Sequence, residues 1–116
     1  MSHVVLVVPC FNEASRLDVE RFESLLVDAS IRLSFVDDGS TDDTLTLLRR
    51  FAARWPSRVG VVALPRNGGK GEAVRAGLRR AIEDGAPWVG YTDADLATPP
   101  GELRRLIASA LTGDHD

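Results

Sequence analysis

Short apolar runs that alternate with segments of helical spacing constrain this chain more than any other feature. Residues 4–8 form a continuous valine-rich run that stops at Pro9, which is typical of a strand buried on both faces. Similar runs predict strands at residues 31–36, 59–64 and 88–92. Strands that alternate with helices of ordinary length indicate an α/β fold, with a mostly parallel sheet and helices on both faces.

The intervening segments carry apolar residues three and four positions apart. This spacing predicts helices over about residues 13–29, from about residue 45 to 55, from about 73 to 82 and from about 103 to 111. Ser40 with Asp43 fits a capping box for the second helix. Thr98 is expected to cap the last helix, with Pro99 at its first position.

Composition excludes several classes of protein. The 116 residues are enough for one domain, and a net charge of −3 argues against a nucleic-acid-binding surface. The longest apolar run falls far short of the roughly 18 residues of a membrane span. Cys10 is the single cysteine, so no intramolecular disulfide can form. With no charged leader before an apolar segment, a cytoplasmic protein without a signal peptide is expected.

Polar and acidic residues follow three of the predicted strands. They are Asn12 with Glu13, Asp37 with Asp38, and Asp93 with Asp95. In parallel sheets ligands bind beyond the carboxyl ends of the strands, where the strand order reverses. We therefore expect these side chains to converge on one binding edge.

Asp93 and Asp95 admit two compatible interpretations. If the strand extends that far, both carboxylates project to the same side and repel each other unless a cation lies between them or one of them is protonated. Mg²⁺ or Mn²⁺ suits such oxygen ligands, especially beside a substrate phosphate. Alternatively, the acidic turn simply opens the last helix, where Asp95 is favoured by the helix dipole.

Asp38 and Lys70 are further candidates for ligand contact. An acidic residue at the end of the second strand is where mononucleotide folds hold a ribose or base, although Asp-Gly is also an ordinary turn. Lys70 lies in a glycine-rich loop, residues 67–71, which opens a helix whose N-terminus could attract an anion. The loop is not a P-loop, because Leu64 and Gly71 occupy two of its required positions. Lys70 is thus either a phosphate ligand or a surface lysine.

Four motifs occur in the order found in inverting family 2 glycosyltransferases with a GT-A fold. They are Pro9-Cys-Phe-Asn-Glu13, Val36-Asp-Asp-Gly-Ser-Thr-Asp42, Asn67-Gly-Gly-Lys-Gly71 and Asp93-Ala-Asp-Leu96. The continuation Leu96-Ala-Thr-Pro99 resembles dolichyl- or polyprenyl-phosphate glucosyltransferases, whereas the related mannosyltransferases usually have Gln at the position of Ala97. The resemblance implies a Rossmann-like donor-binding half with strand order 3-2-1-4.

The resemblance also implies roles for individual residues. The nucleotide pocket would be lined by Pro9, Phe11 and Glu13. Val36 and Asp38 would lie near the base, and Lys70 beside the nucleotide. Asp93 would contact the ribose or the metal, Ala94 would contribute backbone, and Asp95 would bind the metal that bridges the diphosphate. The donor implied is a nucleotide-sugar, UDP-glucose, with Mg²⁺ or Mn²⁺ as cofactor and a polyprenyl phosphate as acceptor at the cytoplasmic face of the membrane.

The main departure from the family is length, because family members continue into an acceptor half. No catalytic residue is therefore expected within this chain, and a base, where one is used, is expected beyond Asp116. The chain alone would be inactive or weak, or would serve as a non-catalytic nucleotide-binding or protein-interaction module. A fourth strand at the edge of the sheet would be bare, which predicts a homo-oligomer joined there.

Two other classes with alternating folds fit less well. Phosphoacceptor receiver-type domains also cluster aspartates, but their paired acids follow the first strand, whereas Asp37 and Asp38 follow the second. Sugar nucleotidyltransferases open with a glycine-rich loop after strand one, where this chain has Pro9-Cys-Phe-Asn-Glu13.

Overall fold

A computed structural model describes residues 3–112, in which four strands alternate with four helices. The elements in chain order are β1 (Val4–Cys10), α1 (Val19–Leu25), β2 (Ile31–Asp37), α2 (Thr44–Arg54), β3 (Val59–Ala63), α3 (Lys70–Glu83), β4 (Trp88–Tyr91) and α4 (Pro100–Thr112). The predicted α/β alternation is confirmed. No helix within residues 3–112 is long and apolar enough to cross a membrane.

The four strands form one parallel sheet in the order β3-β2-β1-β4, as the resemblance implied. β1 pairs with β2 along its whole length, starting at Val4 opposite Ile31, and with β4 from Val4 opposite Trp88. The strand order reverses between β1 and β4, which opens a crevice beyond their carboxyl ends.

The two faces of the sheet carry different cores. Alternate residues of β1 and β2 point to a large cluster with α1, α2 and α4, in which Phe35 meets Phe22 edge-on at 5.1 Å between ring centroids. On the other face a small cluster of Val7, Val36 and Ala73 lies under α3. Gly77 permits this close approach of α3, since a Cβ there would overlap the Val7 and Val36 side chains.

All four helix starts differ from the predictions, and α3 begins at Lys70 rather than near residue 73. The first helix is confined to Val19–Leu25, and its N-cap Asp18 accepts a hydrogen bond from the Arg21 N–H at 3.3 Å. The capping box at Ser40 is wrong: α2 begins at Thr44, and the Asp42 carboxylate accepts the Thr44 N–H at 2.9 Å. The last helix begins at Pro100, one residue later than predicted.

Candidate functional site

A cavity of about 550 Å³ opens at the carboxyl ends of β1, β2 and β4. Its lining combines carboxylates, two cations and an aromatic ring: Pro9, Cys10, Phe11, Glu13, Arg16, Asp38, Asn67, Gly69, Lys70, Asp93, Ala94 and Asp95. Eight of the nine residues predicted for the site therefore lie together. The exception is Val36, which is fully buried in the small cluster under α3 and supports the sheet beside the cavity.

Asp93 and Asp95 reach this cavity on a turn rather than on a strand. β4 ends at Tyr91, and the Leu96 N–H donates to the Asp93 carbonyl at 3.0 Å to close the turn. The strand does not extend as far as Asp93, so strand alternation does not align the two carboxylates, although both of them line the cavity. Leu96 adopts a positive φ of 49° and is 1% exposed, so a core side chain anchors the turn.

Arg21 holds the same turn from α1. Its guanidinium donates to the Asp95 carbonyl at 3.1 Å and to the Leu96 carbonyl at 3.0 Å. The sequence did not indicate this role, because a single arginine on an amphipathic helix has no signature and its partners lie more than 70 positions away. Arg21 therefore positions the acidic turn.

Lys70 forms an ion pair with Asp93 in the lining of the cavity. The ammonium Nζ lies 2.5 Å from Asp93 Oδ1 and 5.9 Å from the centroid of the Tyr91 ring. The hydrogen bond to Asp93 and the charge of Asp93 raise the pKa of Lys70 above its ordinary value. Lys70, the first residue of α3, thus holds its positive charge beside the two carboxylates.

Asp38 fixes the glycine-rich loop. Its side chain is buried, and its two carboxylate oxygens accept hydrogen bonds from the N–H groups of Gly68 at 2.9 Å and Gly69 at 3.0 Å. The Asn67 amide adds a third bond at 3.2 Å. Gly39, with φ 69°, lets the two loops meet, because a Cβ there would overlap the backbone of residues 66–67. Asp38 therefore shapes the loop that presents Lys70.

The loop after β1 is tied to the loop after β2. The Asn12 N–H donates to Ser40 Oγ at 2.9 Å, and the Glu13 N–H donates to Thr44 Oγ1 at 2.8 Å. These bonds place Phe11, which is 40% exposed, on the cavity wall. Ser40 and Thr44 are therefore positioning residues. The sequence indicated Ser40 only as part of a helix cap and did not indicate Thr44.

Two further residues on the β1 side complete the lining. Arg16 pairs with the Glu13 carboxylate at 3.3 Å, which brings a cation that the sequence had not indicated. Cys10 is 2% exposed, and burial, helped by the charges of Glu13 and Asp37, raises the pKa of its thiol to about 12. Cys10 is therefore a neutral structural thiol and not a nucleophile.

The carboxylates in the cavity suit a hard divalent cation whose remaining coordination positions are filled by a bound ligand. Asp93 and Asp95 supply carboxylate oxygens to one cavity, and Asp93 remains about half exposed. Within residues 3–112 there is no group of three or more acidic, histidine or cysteine side chains that could hold a metal ion. The two carboxylates would hold Mg²⁺ or Mn²⁺ only together with further oxygens, such as those of a diphosphate and water.

Comparison with known proteins gives consistent matches over nearly the whole chain. The model of the family described as Glycosyl transferase family 2 matches residues 5–116. The undecaprenyl-phosphate 4-deoxy-4-formamido-L-arabinose transferase of Pseudomonas syringae is 37% identical over 114 residues, which cover 95% of this chain and 33% of that protein. The enzyme of the same name from Sodalis glossinidius is 36% identical over 97% of this chain and 35% of its own length. The chain thus spans about a third of the length of these relatives.

Two solved structures share the fold. The mannosyltransferase PcManGT from Pyrobaculum calidifontis, in complex with GDP-Man and Mn²⁺, has a TM-score of 0.73 and 30% identity over 90% of this chain and 31% of that one. S. aureus TarS 1–349, in complex with UDP-GlcNAc, has a TM-score of 0.73 and 28% identity over 99% of this chain and 32% of that one.

Proposed function

The chain belongs to glycosyl transferase family 2, and on that premise we propose that residues 1–116 form one domain that binds the nucleotide-sugar donor of an inverting glycosyltransferase. The observation that carries the proposal is the single cavity at the strand ends. It brings an exposed aromatic ring, a lysine at a helix start and two carboxylates to one place. These are the groups that a base, a diphosphate and a divalent cation require.

We assign the two ends of the cavity to the two ends of the donor. Pro9, Phe11 and Glu13 line the nucleoside end, where Phe11 offers its ring to the base. Asp38 lines the same end, near the base, and orders the adjoining loop through its bonds to Gly68 and Gly69. Lys70 and the turn of Asp93, Ala94 and Asp95 line the diphosphate end.

The chemistry required is the stabilisation of a leaving group. When an acceptor oxygen attacks the anomeric carbon from the opposite face, the bond to the diphosphate oxygen breaks and negative charge builds on the nucleoside diphosphate. A bound Mg²⁺ or Mn²⁺ neutralises such charge without proton transfer. In this chain, Asp93 and Asp95 would hold the cation, and Lys70 would add a positive charge on the same side.

For the donor we propose a UDP-sugar, with UDP-glucose as the first candidate. Ala97 supports this, because it stands where related mannosyltransferases usually have Gln. A neighbour solved with UDP-GlcNAc is also consistent with UDP. The names of the relatives point to undecaprenyl phosphate as their acceptor. We propose a polyprenyl phosphate here too, which is already anionic and needs little activation by a base. This acceptor would place the protein at the cytoplasmic face of the membrane.

Calorimetry with UDP and GDP, each with and without Mn²⁺, tests the donor proposal. UDP is expected to bind more tightly with Mn²⁺, and Asp95→Asn is expected to remove that metal dependence. Asp84→Asn is the matched control, because Asp84 is an exposed carboxylate at the C-terminal end of α3 and pairs with Arg80. If neither nucleotide shows metal-dependent binding to the native chain, the proposal fails.

A second candidate is a non-catalytic nucleotide-binding or protein-interaction module. It is supported by the lining of the cavity, which offers groups for binding a base, a diphosphate and a cation. Incubation of the purified chain with UDP-glucose and a polyprenyl phosphate separates the two, since a glycosylated lipid argues for the enzyme. Nucleotide binding without any product favours the module.

We also propose that the chain forms homo-oligomers through the free edge of β4. In the part of the chain that the structure describes, β4 pairs with β1 on one side only. Trp88, Val89 and Tyr91 are 44%, 36% and 57% exposed, and such an edge invites pairing with another chain. Light scattering should show dimers that Val89→Lys disrupts, whereas Val27→Lys, at an exposed site in the turn between α1 and β2, should not. A monomer at high protein concentration contradicts this proposal.

A further inference from the structure

We infer that Lys70 occupies the place of the metal in the ligand-free protein and must leave Asp93 before a divalent cation can bind there. The inference rests on the proposed function for the identity of the cation and of the diphosphate. It assigns Lys70 a second task beside phosphate contact, namely lowering the affinity of the acidic turn for metal until a donor arrives.

The geometry shows the lysine already engaged. Its Nζ lies 2.5 Å from Asp93 Oδ1, in a direct, charge-assisted ion pair. Both side chains are about half exposed, at 58% for Lys70 and 48% for Asp93. The pair is therefore formed at the mouth of the cavity, where solvent, metal and ligand can all reach it.

The charges make the lysine and the metal alternatives. A divalent cation on Asp93 Oδ1 would stand within contact distance of an ammonium, and two like charges so close oppose each other. The metal therefore has to displace the ammonium, which lowers its affinity for the free protein. Exposed ion pairs are weak, so this penalty is about two- to fivefold in the dissociation constant.

A diphosphate resolves the competition. Lys70 is the first residue of α3, next to the loop that Asp38 holds in place. Its ammonium is carried on a long, flexible side chain. A phosphate oxygen at this helix start gives the ammonium a new anionic partner and leaves Asp93 free for the metal. Metal and nucleoside diphosphate should then bind together more tightly than either binds alone.

Lys70→Met tests the inference by two measurements with opposite signs. Titration of Mn²⁺ without nucleotide, followed by electron paramagnetic resonance of the free ion, should show about two- to fivefold tighter binding than in the native chain. Titration of UDP at saturating Mn²⁺ should show about tenfold weaker binding, because the ammonium–phosphate contact is lost. If Lys70 had a purely structural role, Lys70→Met would bind both Mn²⁺ and UDP more weakly than the native chain.

The controls separate the charge from its position. Arg75→Met removes another exposed cation from α3, one that pairs with Glu72, and should change neither titration. Lys70→Arg keeps the positive charge and should therefore bind Mn²⁺ alone, and UDP at saturating Mn²⁺, much as the native chain does. If Mn²⁺ alone binds Lys70→Met no more tightly than the native chain, the inference is overturned. If that gain is seen but UDP does not bind the native chain, the competition holds and the proposed function fails.

Discussion

The substitution Asp38→Asn tests how much the hydrogen bonds of one buried carboxylate contribute to the stability of the site. Asp38 is 3% exposed and accepts three hydrogen bonds from the glycine-rich loop. Asparagine keeps the shape of the side chain but offers one acceptor oxygen in place of two. In either orientation of the amide, its NH₂ group faces a backbone N–H, of Gly68 or of Gly69, and at least one bond is lost.

The structure sets the size of the effect. The less costly orientation keeps the oxygen toward Gly69 and Asn67 and loses the bond from Gly68, and a bond to a charged acceptor contributes about 1.5–3 kcal/mol. The two remaining bonds weaken because the charge is gone. Gly68 is exposed, so its N–H recovers part of the loss from water. We expect the free energy of unfolding to fall by about 2–3 kcal/mol, a large share of the 5–15 kcal/mol typical of a domain.

Asp37→Asn is a matched control at the adjacent position. Asp37 is also 3% exposed, but its Oδ1 has no hydrogen-bond partner among residues 3–112, and its Oδ2 accepts one long bond from the Ser40 N–H at 3.4 Å. Removing this poorly compensated buried charge should cost less than about 1 kcal/mol or even stabilise the fold. Urea unfolding followed by circular dichroism measures both variants. Equal losses at the two positions would refute the assigned bonding of Asp38.

Three other predictions concern the core and the turn. The Cys10 thiol, with a pKa raised to about 12 from 9.0, should resist iodoacetamide at pH 8 until the chain unfolds. Because the folded chain holds this proton more tightly than the unfolded chain, the free energy of unfolding should be unaffected by Cys10 below pH 9 and should fall as pH rises toward 12. Thermal melts between pH 8 and 11 would show this fall. Gly77→Ala should cost about 1–3 kcal/mol in urea unfolding, because the new Cβ meets Val7, whereas Gly71→Ala, with open space around it in the same helix, should be neutral or stabilising. Arg21→Met should weaken Mn²⁺ binding in the presence of UDP severalfold while circular dichroism stays native; unchanged binding would show that the carbonyl contacts do not position the turn.

The fold was largely predictable because its signals are local. Each strand is a short apolar run closed by proline, glycine or acidic residues, and a chain that alternates such runs with helices has few arrangements available. The errors lie at helix starts. Ser40 has the right chemistry for a cap, but its hydroxyl oxygen accepts a bond from Asn12, and only tertiary structure determines that choice.

The candidate site was predictable in membership but not in architecture. Chemically conspicuous residues, such as Lys70 and the paired aspartates, were found because strand ends converge in a parallel sheet. Arg16 and Arg21 were not predicted, because arginines on surface turns and helices are common. Arg16 pairs with Glu13 three positions earlier, which is an ordinary local pair, and the partner of Arg21 is 74 positions away. The Lys70–Asp93 pair joins the start of α3 to the turn after β4, 23 residues further along the chain, and no spacing rule connects them.

The carboxylates that complete the site arrive with the shortest strand of the sheet. β4 has four residues, pairs on one side within the described chain, and leads directly into the turn of Asp93 and Asp95. A local opening of β4 would therefore remove Asp93 and Asp95 from the cavity while β1, β2 and β3 stayed folded. Anything bound there holds β4 shut by mass action. Slower amide hydrogen exchange across residues 88–96, with the other strands unchanged, would be the signature of an occupied site.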